Sequence, residues 1–249
     1  MIEIRNLSKR YGDKVALWDL NLDVGDGELF AFLGPNGAGK TTTIKILSGL
    51  VRPTAGTAIV GGHDVVKDGL KARALMSYVP DQPFLYEKLT AREFLRMVGE
   101  LYRMERAEIE QRIGELSETF ELGGFLDDLC ESYSHGMKQR VVVASALLHG
   151  PKLLVVDEPM VGLDPKSSRT LKDLLRALTR ERKLTVFMTT HTLSVAEEVA
   201  DRIGIIHQGR VIALGAMQEL RALRQGSEDK RLEDLFLEMT NGGDPPKQA

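Results

Sequence analysis

The chain has 249 residues, of which 43% are hydrophobic and 28% charged, which is enough for a sizeable core in one large or two small domains. Its formal net charge of -3 excludes a general attraction for nucleic acid or for an anionic membrane, although a local basic patch would escape this count. Cys130 is the only cysteine, which excludes an internal disulfide, and we expect its thiol to lie in the core.

The N-terminal segment MIEIRNLSKRYG has no basic start followed by an apolar stretch, which a secretory signal requires. No apolar run in the sequence approaches the roughly 18 residues of a membrane span. We therefore expect any membrane role to be exerted through a partner protein.

Short apolar or alternating segments predict strands, several of which end at Gly, Asp or Thr-rich turns. These segments lie at 2–7, 29–33, 153–156 and 184–188. Segments with apolar residues at helical spacing lie at 41–50, 138–148, 167–182 and 193–200. Strands that alternate with helices favour a largely parallel sheet, so the predicted fold class is α/β.

The stretch from about 84 to 148 lacks strand signals and predicts an inserted helical subdomain. Two polar, amphipathic helices fit within it, at 91–104 and 107–121. Farther on, Gln208 and Gly209 separate two apolar segments, as in a two-residue β-hairpin. The final residues, GGDPPKQA, have the composition of a disordered tail. We predict a single domain at 1–240 and a disordered tail at 241–249.

The segment GPNGAGKT satisfies the phosphate-loop pattern, with an apolar strand before it and a helix after it. In this pattern the glycines let the backbone fold tightly, so that amide groups and the helix N-terminus face the phosphates of a nucleotide. Lys40 is expected to neutralise the β- and γ-phosphates, and the Thr41 hydroxyl to contact Mg²⁺. The predicted nucleotide-binding residues here are Gly34, Pro35, Asn36, Gly37, Ala38, Gly39, Lys40, Thr41 and Thr42.

The segment LLVVDE at 153–158 reads as a buried strand that ends in two carboxylates. Asp157 can hold Mg²⁺ through water, and Glu158 can polarise an attacking water. Many strands end in acidic residues for turn or capping reasons, so this motif indicates a hydrolytic site only in combination with the phosphate loop. The two motifs together predict a nucleotide-hydrolysing site that contains Lys40 and Glu158.

These motifs resemble those of the ATP-binding cassette (ABC) family, whose remaining elements follow in the family's order over nearly the whole chain. The resemblance implies that Tyr11 stacks on adenine, although tyrosines more often pack in cores. It also implies that His191, after Thr189 and Thr190, is a switch histidine that contacts the γ-phosphate, whereas a lone histidine is more often structural. The segment GLDP at 162–165 resembles the loop that communicates across the family's dimer.

The family signature LSGGQ corresponds to YSHGM at 133–137, in which Ser134 and Gly136 match while His135 and Met137 depart. Ser134 also fits a simple helix N-cap, and capping and phosphate recognition use the same free amides. The resemblance implies that Ser134, His135 and Gly136 bind, in trans, the ATP held by a second protomer.

The segment YVPDQP at 78–83 leaves one assignment open. The family has a glutamine after a proline there, whereas this chain has Asp81 followed by Gln82. We favour Gln82 as the magnesium-contacting residue, because a neutral amide adds no further anion beside the phosphates and Asp157. The apolar cluster that follows, with Phe84 and Tyr86, either packs the subdomain onto the core or receives a short helix of a permease, as the resemblance implies.

The resemblance implies a P-loop NTPase core with a mostly parallel sheet, an N-terminal antiparallel β region and an inserted helical subdomain. It implies an ATPase that uses ATP and Mg²⁺ and powers a transporter, with a second ABC subunit in a homodimer or heterodimer and a separate integral-membrane permease as partners. The location implied is the cytoplasmic face of the cell membrane, through the permease. No nucleic acid partner is expected.

The segment at 232–240 is similar to the closing helix of cassette subunits from antibiotic, lipid or multidrug exporters, so export is favoured over import. The chief alternative is a soluble ABC ATPase that acts on DNA, ribosomes or cluster assembly. Those proteins carry two cassettes or long coiled-coil insertions, which this sequence lacks. A GTP-binding switch would need a guanine-reading NKxD segment, which is also absent from the sequence.

Overall fold

The computed structural model describes residues 1–222, which form a three-layered α/β domain. The strands are β1 (Ile2–Tyr11), β2 (Lys14–Val24), β3 (Leu29–Leu33), β4 (Ala55–Val60), β5 (His63–Asp64), β6 (Met76–Val79), β7 (Leu153–Asp157), β8 (Thr185–Thr190), β9 (Arg202–His207) and β10 (Arg210–Gly215). The helices are α1 (Lys40–Leu47), α2 (Gly69–Ala74), α3 (Ala91–Leu101), α4 (Arg106–Thr119), α5 (His135–Leu147), α6 (Pro165–Arg182), α7 (Leu193–Val199) and α8 (Met217–Ala222). The predicted closing helix at 232–240, the domain end at 240 and the tail at 241–249 lie outside the described residues.

The central sheet has six strands in the order β10-β9-β3-β8-β7-β6. Five of them run parallel, and β10 is added antiparallel at one edge through the β9–β10 hairpin. Strands β3, β7 and β8 are buried along their whole length, as expected for parallel strands covered on both faces. The predicted α/β class and largely parallel sheet are therefore confirmed.

A second, antiparallel sheet has the order β2-β1-β4-β5 and is built mostly from the first 64 residues, on either side of β3 and α1. Strand β1 continues to Tyr11, beyond the apolar alternation that predicted a strand only to residue 7. Register irregularities along β1 explain the difference, because each bulge interrupts the two-residue period on which the prediction relied.

The two faces of the central sheet belong to different hydrophobic cores, because successive side chains of a strand point to opposite faces. In β3, Phe30 and Phe32 join Phe187 in a cluster of aromatic rings covered by α1 and the antiparallel sheet. The alternate residues of β3 pack with α6, α7 and the helical subdomain. The sheet is thus held between an antiparallel layer and a helical layer.

The predicted helical subdomain is present, with α3, α4 and α5 packed around buried apolar residues. Helix α3 begins with a capping box formed by Thr90 and Glu93, which satisfies amide groups that a helix start leaves without partners. Helix α5 begins at 135 rather than at the predicted 138, because Ser134 accepts a hydrogen bond from the Met137 amide and caps it. Within residues 1–222, no helix is both long enough and apolar enough to cross a bilayer.

Candidate active site

The candidate site lies at the carboxyl ends of the parallel strands, where open α/β sheets bind their ligands. Strand β8 neighbours both β3 and β7, and Leu33 pairs with Thr190 while Asp157 pairs with Thr189. The phosphate loop after β3, the carboxylates at the end of β7 and the histidine after β8 therefore meet at one edge of the sheet.

The phosphate loop requires glycine at two positions for steric reasons. Gly39 has φ +116°, and a Cβ placed there would lie 2.8 Å from the backbone oxygen of Ala16. A Cβ at Gly34 would lie 2.3 Å from the backbone oxygen of Ile206. Both distances are shorter than atoms can approach, so the loop passes close to two other segments only because it carries no side chains there.

A backbone hydrogen bond from the β9–β10 turn holds the same loop, and a second one ties that turn to β2. The amide of Gly209, in the β9–β10 turn, donates to the carbonyl of Ala38 at 2.8 Å. The carbonyl of Gly209 accepts from the amide of Trp18 in β2 at 2.9 Å. Gln208 and Gly209 have φ values of +46° and +77°, typical of a type I′ turn, so the predicted hairpin is confirmed and is part of the site's support.

Lys40 and Glu158 form an ion pair across the site. The Lys40 ammonium lies 3.2 Å from Glu158 Oε1, and the two side chains are only 6% and 15% exposed. Lys40 also donates to the carbonyls of Gly34 and Pro35, at 2.6 Å and 3.3 Å. This ammonium is therefore held in the loop by uncharged backbone groups and by one carboxylate.

Glu158 also contacts the histidine after β8. His191 Nδ1 and the His191 amide lie 2.9 Å and 3.2 Å from Glu158 Oε2. The backbone of Glu158 is left-handed, with φ +46°, a conformation that costs a non-glycine residue about 1–2 kcal/mol. Its amide donates to Thr189 Oγ1, so contacts on both sides hold this residue in place. The predicted trio of Lys40, Glu158 and His191 is brought together.

Asp157 is 3% exposed and lies beside Glu158. Burial raises the pKa of the Asp157 carboxyl, and the negative charges of Asp81 and Glu158 raise this pKa further. Hydrogen bonds from Thr189 and Thr41 act in the opposite direction and lower it. Burial, together with the negative charges of Asp157 and Asp81, raises the pKa of Tyr78 to about 12. The region thus concentrates carboxylates that a cation would stabilise.

A cleft of about 410 Å³ opens in front of these groups. Most of the predicted nucleotide-binding and hydrolytic residues line it, namely Tyr11, Pro35, Asn36, Gly37, Gly39, Lys40, Thr41, Thr42, Asp157 and Glu158. Gly34 and Ala38 lie beneath the loop surface. Lys14, Ala16 and Asp81 also line the cleft, and sequence reasoning did not place the first two there. The pairing of Tyr11 with Lys14 across the β1–β2 hairpin explains their position.

The comparisons with known proteins agree with this geometry. A family described as ABC transporter matches residues 17–161. The chain belongs to the ABC transporter family. The cassette is 40% identical over 220 residues to the linearmycin resistance ATP-binding protein LnrL of Bacillus subtilis, with 88% of this chain and 70% of that protein covered. It is 42% identical over 221 residues to the daunorubicin/doxorubicin resistance ATP-binding protein DrrA of Streptomyces peucetius, with 89% and 67% covered.

Solved structures give the same result. A structure of the ATP-binding subunit of an ABC transporter matches with a TM-score of 0.84 at 35% identity, covering 96% of this chain and 99% of that one. The ATP-binding cassette MJ0796, in a dimeric post-hydrolysis state with ADP and Pi, matches with a TM-score of 0.78 at 29% identity, covering 87% and 99%. The cassette is accordingly an ATP-binding, ATP-hydrolysing subunit of a transporter.

The structure distinguishes Asp81 from Gln82, the two residues between which the sequence left the magnesium contact open. Asp81 lines the cleft and its charge acts on Asp157, whereas Gln82 is absent from the described lining residues. The register explains this placement, because Val79 pairs with Val156, and Asp81 and Glu158 each lie two residues beyond that pair. The choice between Asp81 and Gln82 as a magnesium ligand stays a prediction.

The signature of the cassette lies apart from the cleft that contains Lys40. Gly136 lines a separate depression with the start of α6, and a Cβ at Gly136 would lie 2.9 Å from Ser167 Oγ. His135 Nε2 lies 3.3 Å from where a Cβ of Gly162 would be. The signature of this protomer thus packs against its own 162–165 loop, and the assignment of Ser134, His135 and Gly136 to the ATP of a second protomer stays a prediction.

Proposed function

We propose that this cassette powers export of a drug-like or lipid-like compound through a separate integral-membrane permease, at the cytoplasmic face of the membrane. The support is the site that joins Lys40, Asp157 and Glu158, together with the names of the relatives, which confer resistance to linearmycin and to daunorubicin or doxorubicin. A transporter gives resistance to a toxic compound by removing it from the cell and not by taking it up, which favours export over import.

The ion pair between Lys40 and Glu158 defines the first step of the proposed mechanism. The γ-phosphate of ATP is negatively charged and competes with the Glu158 carboxylate for the Lys40 ammonium. When the phosphate takes Lys40, Glu158 is released to accept a hydrogen bond from the attacking water and to orient it. His191, which contacts Glu158 at 2.9 Å, then steadies this carboxylate and donates to the γ-phosphate.

The side chains near Asp157 fit a magnesium ion. Thr41 offers a hydroxyl, and Asp157 and Asp81 offer carboxylates, which matches the preference of Mg²⁺ for oxygen ligands from one or two carboxylates plus phosphates. When bound, Mg²⁺ supplies positive charge to the β- and γ-phosphates. We propose Thr41, Asp157 and Asp81 as its protein ligands, with Gln82 as the alternative to Asp81.

ATP is proposed to close two cassettes head to tail. Tyr11 is 45% exposed and lines the cleft, with the Lys9 ammonium 4.8 Å from the centroid of its ring. The exposed part of this ring is proposed to stack on adenine. Ser134, His135 and Gly136 of one protomer then bind the phosphates of the ATP on the other through the N-terminus of α5. Hydrolysis releases this contact, and the cycle of closure and opening moves the permease between its two access states.

The proposed permease contact is the pair Phe84 and Tyr86. Their side chains are 69% and 51% exposed and their rings meet edge to face at 5.5 Å, while Leu85 between them is buried. Leu85 and the contact of the Tyr86 ring with buried Phe94, at 6.3 Å between centroids, pack this segment onto the core. The exposed parts of the two aromatic rings stay available for a partner. Exposed aromatic residues of this kind are enriched at the centre of protein interfaces.

The test combines ATP hydrolysis with affinity purification from detergent-solubilised membranes. The wild-type cassette should hydrolyse ATP and co-purify with an integral-membrane protein. Phe84→Ala and Tyr86→Ala should keep ATP hydrolysis and lose the membrane protein, whereas Leu101→Ala, at an apolar side chain of α3 that is 75% exposed and lies outside this segment, should keep both. Full retention of the membrane protein by both test variants would exclude this docking site. Recovery of ribosomes or DNA-repair proteins in its place would favour a soluble ABC ATPase.

A further inference from the structure

A second cleft, of about 470 Å³, lies at the far end of α1 from the nucleotide cleft. Lys40 and Thr41, in the first turn of α1, line the nucleotide cleft. Ile46, in its last turn, and Gly49, just beyond it, line the second cleft. The eight residues of α1 separate the two clefts by about 12 Å of helix, so a ligand in the second cleft would not occupy the ATP site.

The walls of this cleft are strongly basic. Its lining includes Arg52, Lys67, Lys71 and Arg73, and Asp68 is the one carboxylate among the described lining residues. Lys71 pairs with Asp68 only loosely, at 3.6 Å between two exposed side chains. Within residues 1–222, the side chains of the other three cations make no direct ion pair, although the charge of Lys67 acts on the Asp64 carboxylate. This concentration of charge contrasts with the net charge of -3 of the whole chain.

Arg73 is the best-positioned of these cations. Its Nη1 atom lies 2.8 Å from where a Cβ of Gly49 would be and 3.0 Å from that of Gly69. A side chain at either glycine would push the guanidinium aside. Gly49 and Gly69 therefore leave room for the Arg73 guanidinium at the cleft. A planar guanidinium matches the geometry of phosphate oxygens.

Aliphatic side chains flank the basic cleft. Val66 and Leu70 line it and are 43% and 79% exposed, and Leu50, next to Gly49, is 64% exposed. Cations beside exposed aliphatic groups suit the interface of an anionic bilayer, where the cations meet the phosphate groups and the aliphatic side chains enter the headgroup region. A soluble phosphate would use the cations but leave the aliphatic residues in water.

We propose that this cleft binds the phosphate headgroup of an anionic phospholipid, and so gives the cassette a direct membrane contact of its own. The contact does not depend on the permease or on ATP, because it uses residues of neither proposed site. It also explains how a chain of negative net charge can bind an anionic surface, since only the local field matters within a Debye length of about 8 Å at physiological salt.

The test measures co-sedimentation of the full chain with vesicles of phosphatidylglycerol and phosphatidylcholine, against vesicles of phosphatidylcholine alone. Lys67→Ala/Arg73→Ala should weaken binding to the anionic vesicles by about 30-fold, since each cation near such a surface contributes roughly a factor of five. Lys152→Ala/Arg180→Ala removes the same charge from exposed positions outside the cleft and should leave binding unchanged. Lys67→Ala/Lys71→Ala provides a second test that leaves Arg73 in place.

ATP hydrolysis by each variant serves as the check of folding and is expected to be unchanged. Equal loss of vesicle binding in the test and control pairs would show that binding depends only on the net charge of the chain, and this would overturn the proposal. Equal binding of the wild type to both vesicle types would overturn it as well. Pyrophosphate binding that is lost in Lys67→Ala/Arg73→Ala, together with no binding of the wild type to vesicles, would assign the cleft to a soluble phosphate and exclude the lipid. None of these outcomes depends on transport by a permease.

Discussion

Replacing Glu158 by glutamine tests the chemistry of the site most directly. The substitution keeps the shape of the side chain but removes the charge that lies 3.2 Å from the Lys40 ammonium. At an effective dielectric constant of 20, the attraction across that distance is about 5 kcal/mol. Desolvation and the carbonyls that also hold Lys40 offset most of it, so we expect a net effect of about 1 kcal/mol.

Two opposite changes are expected in Glu158→Gln. ATP binding should tighten about fivefold, because the γ-phosphate no longer competes with a carboxylate for Lys40. Turnover should fall by about 10² to 10⁴, because an amide cannot act as a base toward the attacking water. A structural role alone would weaken binding and turnover together, so the opposite signs separate the two explanations.

The assay measures nucleotide affinity by fluorescence titration and phosphate release under saturating ATP and magnesium. Glu100→Gln, which removes an exposed carboxylate of α3, is the matched control and should change neither quantity. Near-normal phosphate release by purified Glu158→Gln would refute the proposed role of this carboxylate. Unchanged ATP affinity with lost turnover would refute the competition for Lys40.

Three further predictions concern assembly, metal binding and packing. In gel filtration with ATP and magnesium, Glu158→Gln should elute as a dimer, and persistent monomer at saturating ATP would contradict the nucleotide-bridged arrangement. Asp81→Ala should lose metal-dependent ATPase activity while Gln82→Ala retains it, and the reverse result would restore the choice made from the sequence. Gly99→Ala places a methyl 2.6 Å from an isoleucine side chain of α4 and should lower the free energy of unfolding by about 1–3 kcal/mol. Gly114→Ala, with nothing within 4 Å, should raise it by about 0.5–1 kcal/mol, and equal melting temperatures of the two variants would contradict this reasoning.

The parts of the fold that sequence predicts well are those with a local cause. Gln208 and Gly209 form the predicted turn because both adopt the positive φ that a type I′ hairpin demands. The phosphate loop was recognisable because its glycines and Lys40 lie within the short segment 34–40. Helix α6 begins at Pro165, with Asp164 as its cap, and both residues signal a helix start two residues before the predicted 167.

The parts that sequence could not predict depend on segments that are distant in the chain. The position of Asp81 follows from the pairing of β6 with β7, which joins segments more than 70 residues apart. The basic cleft combines Arg52 with the cations at 67–73, and no local charge count places these beside one another. Periodicity likewise could not tell that Leu85 is buried while its two aromatic neighbours are exposed.

The hydrogen bond between the phosphate loop and the β9–β10 turn has a consequence for synthesis on the ribosome. The loop contains Ala38, but its amide partner is Gly209, about 170 residues later in the chain. A nascent chain that has left the ribosome exit tunnel only up to β8 contains every predicted phosphate-binding residue of the loop. It lacks the β9–β10 turn, whose Gly209 amide donates a hydrogen bond to the loop. ATP binding is therefore expected to appear late, after the last hairpin has left the ribosome exit tunnel. Nascent chains stalled before and after residue 209, tested for retention on an immobilised ATP analogue, would show whether ATP selects completed cassettes over unfinished ones.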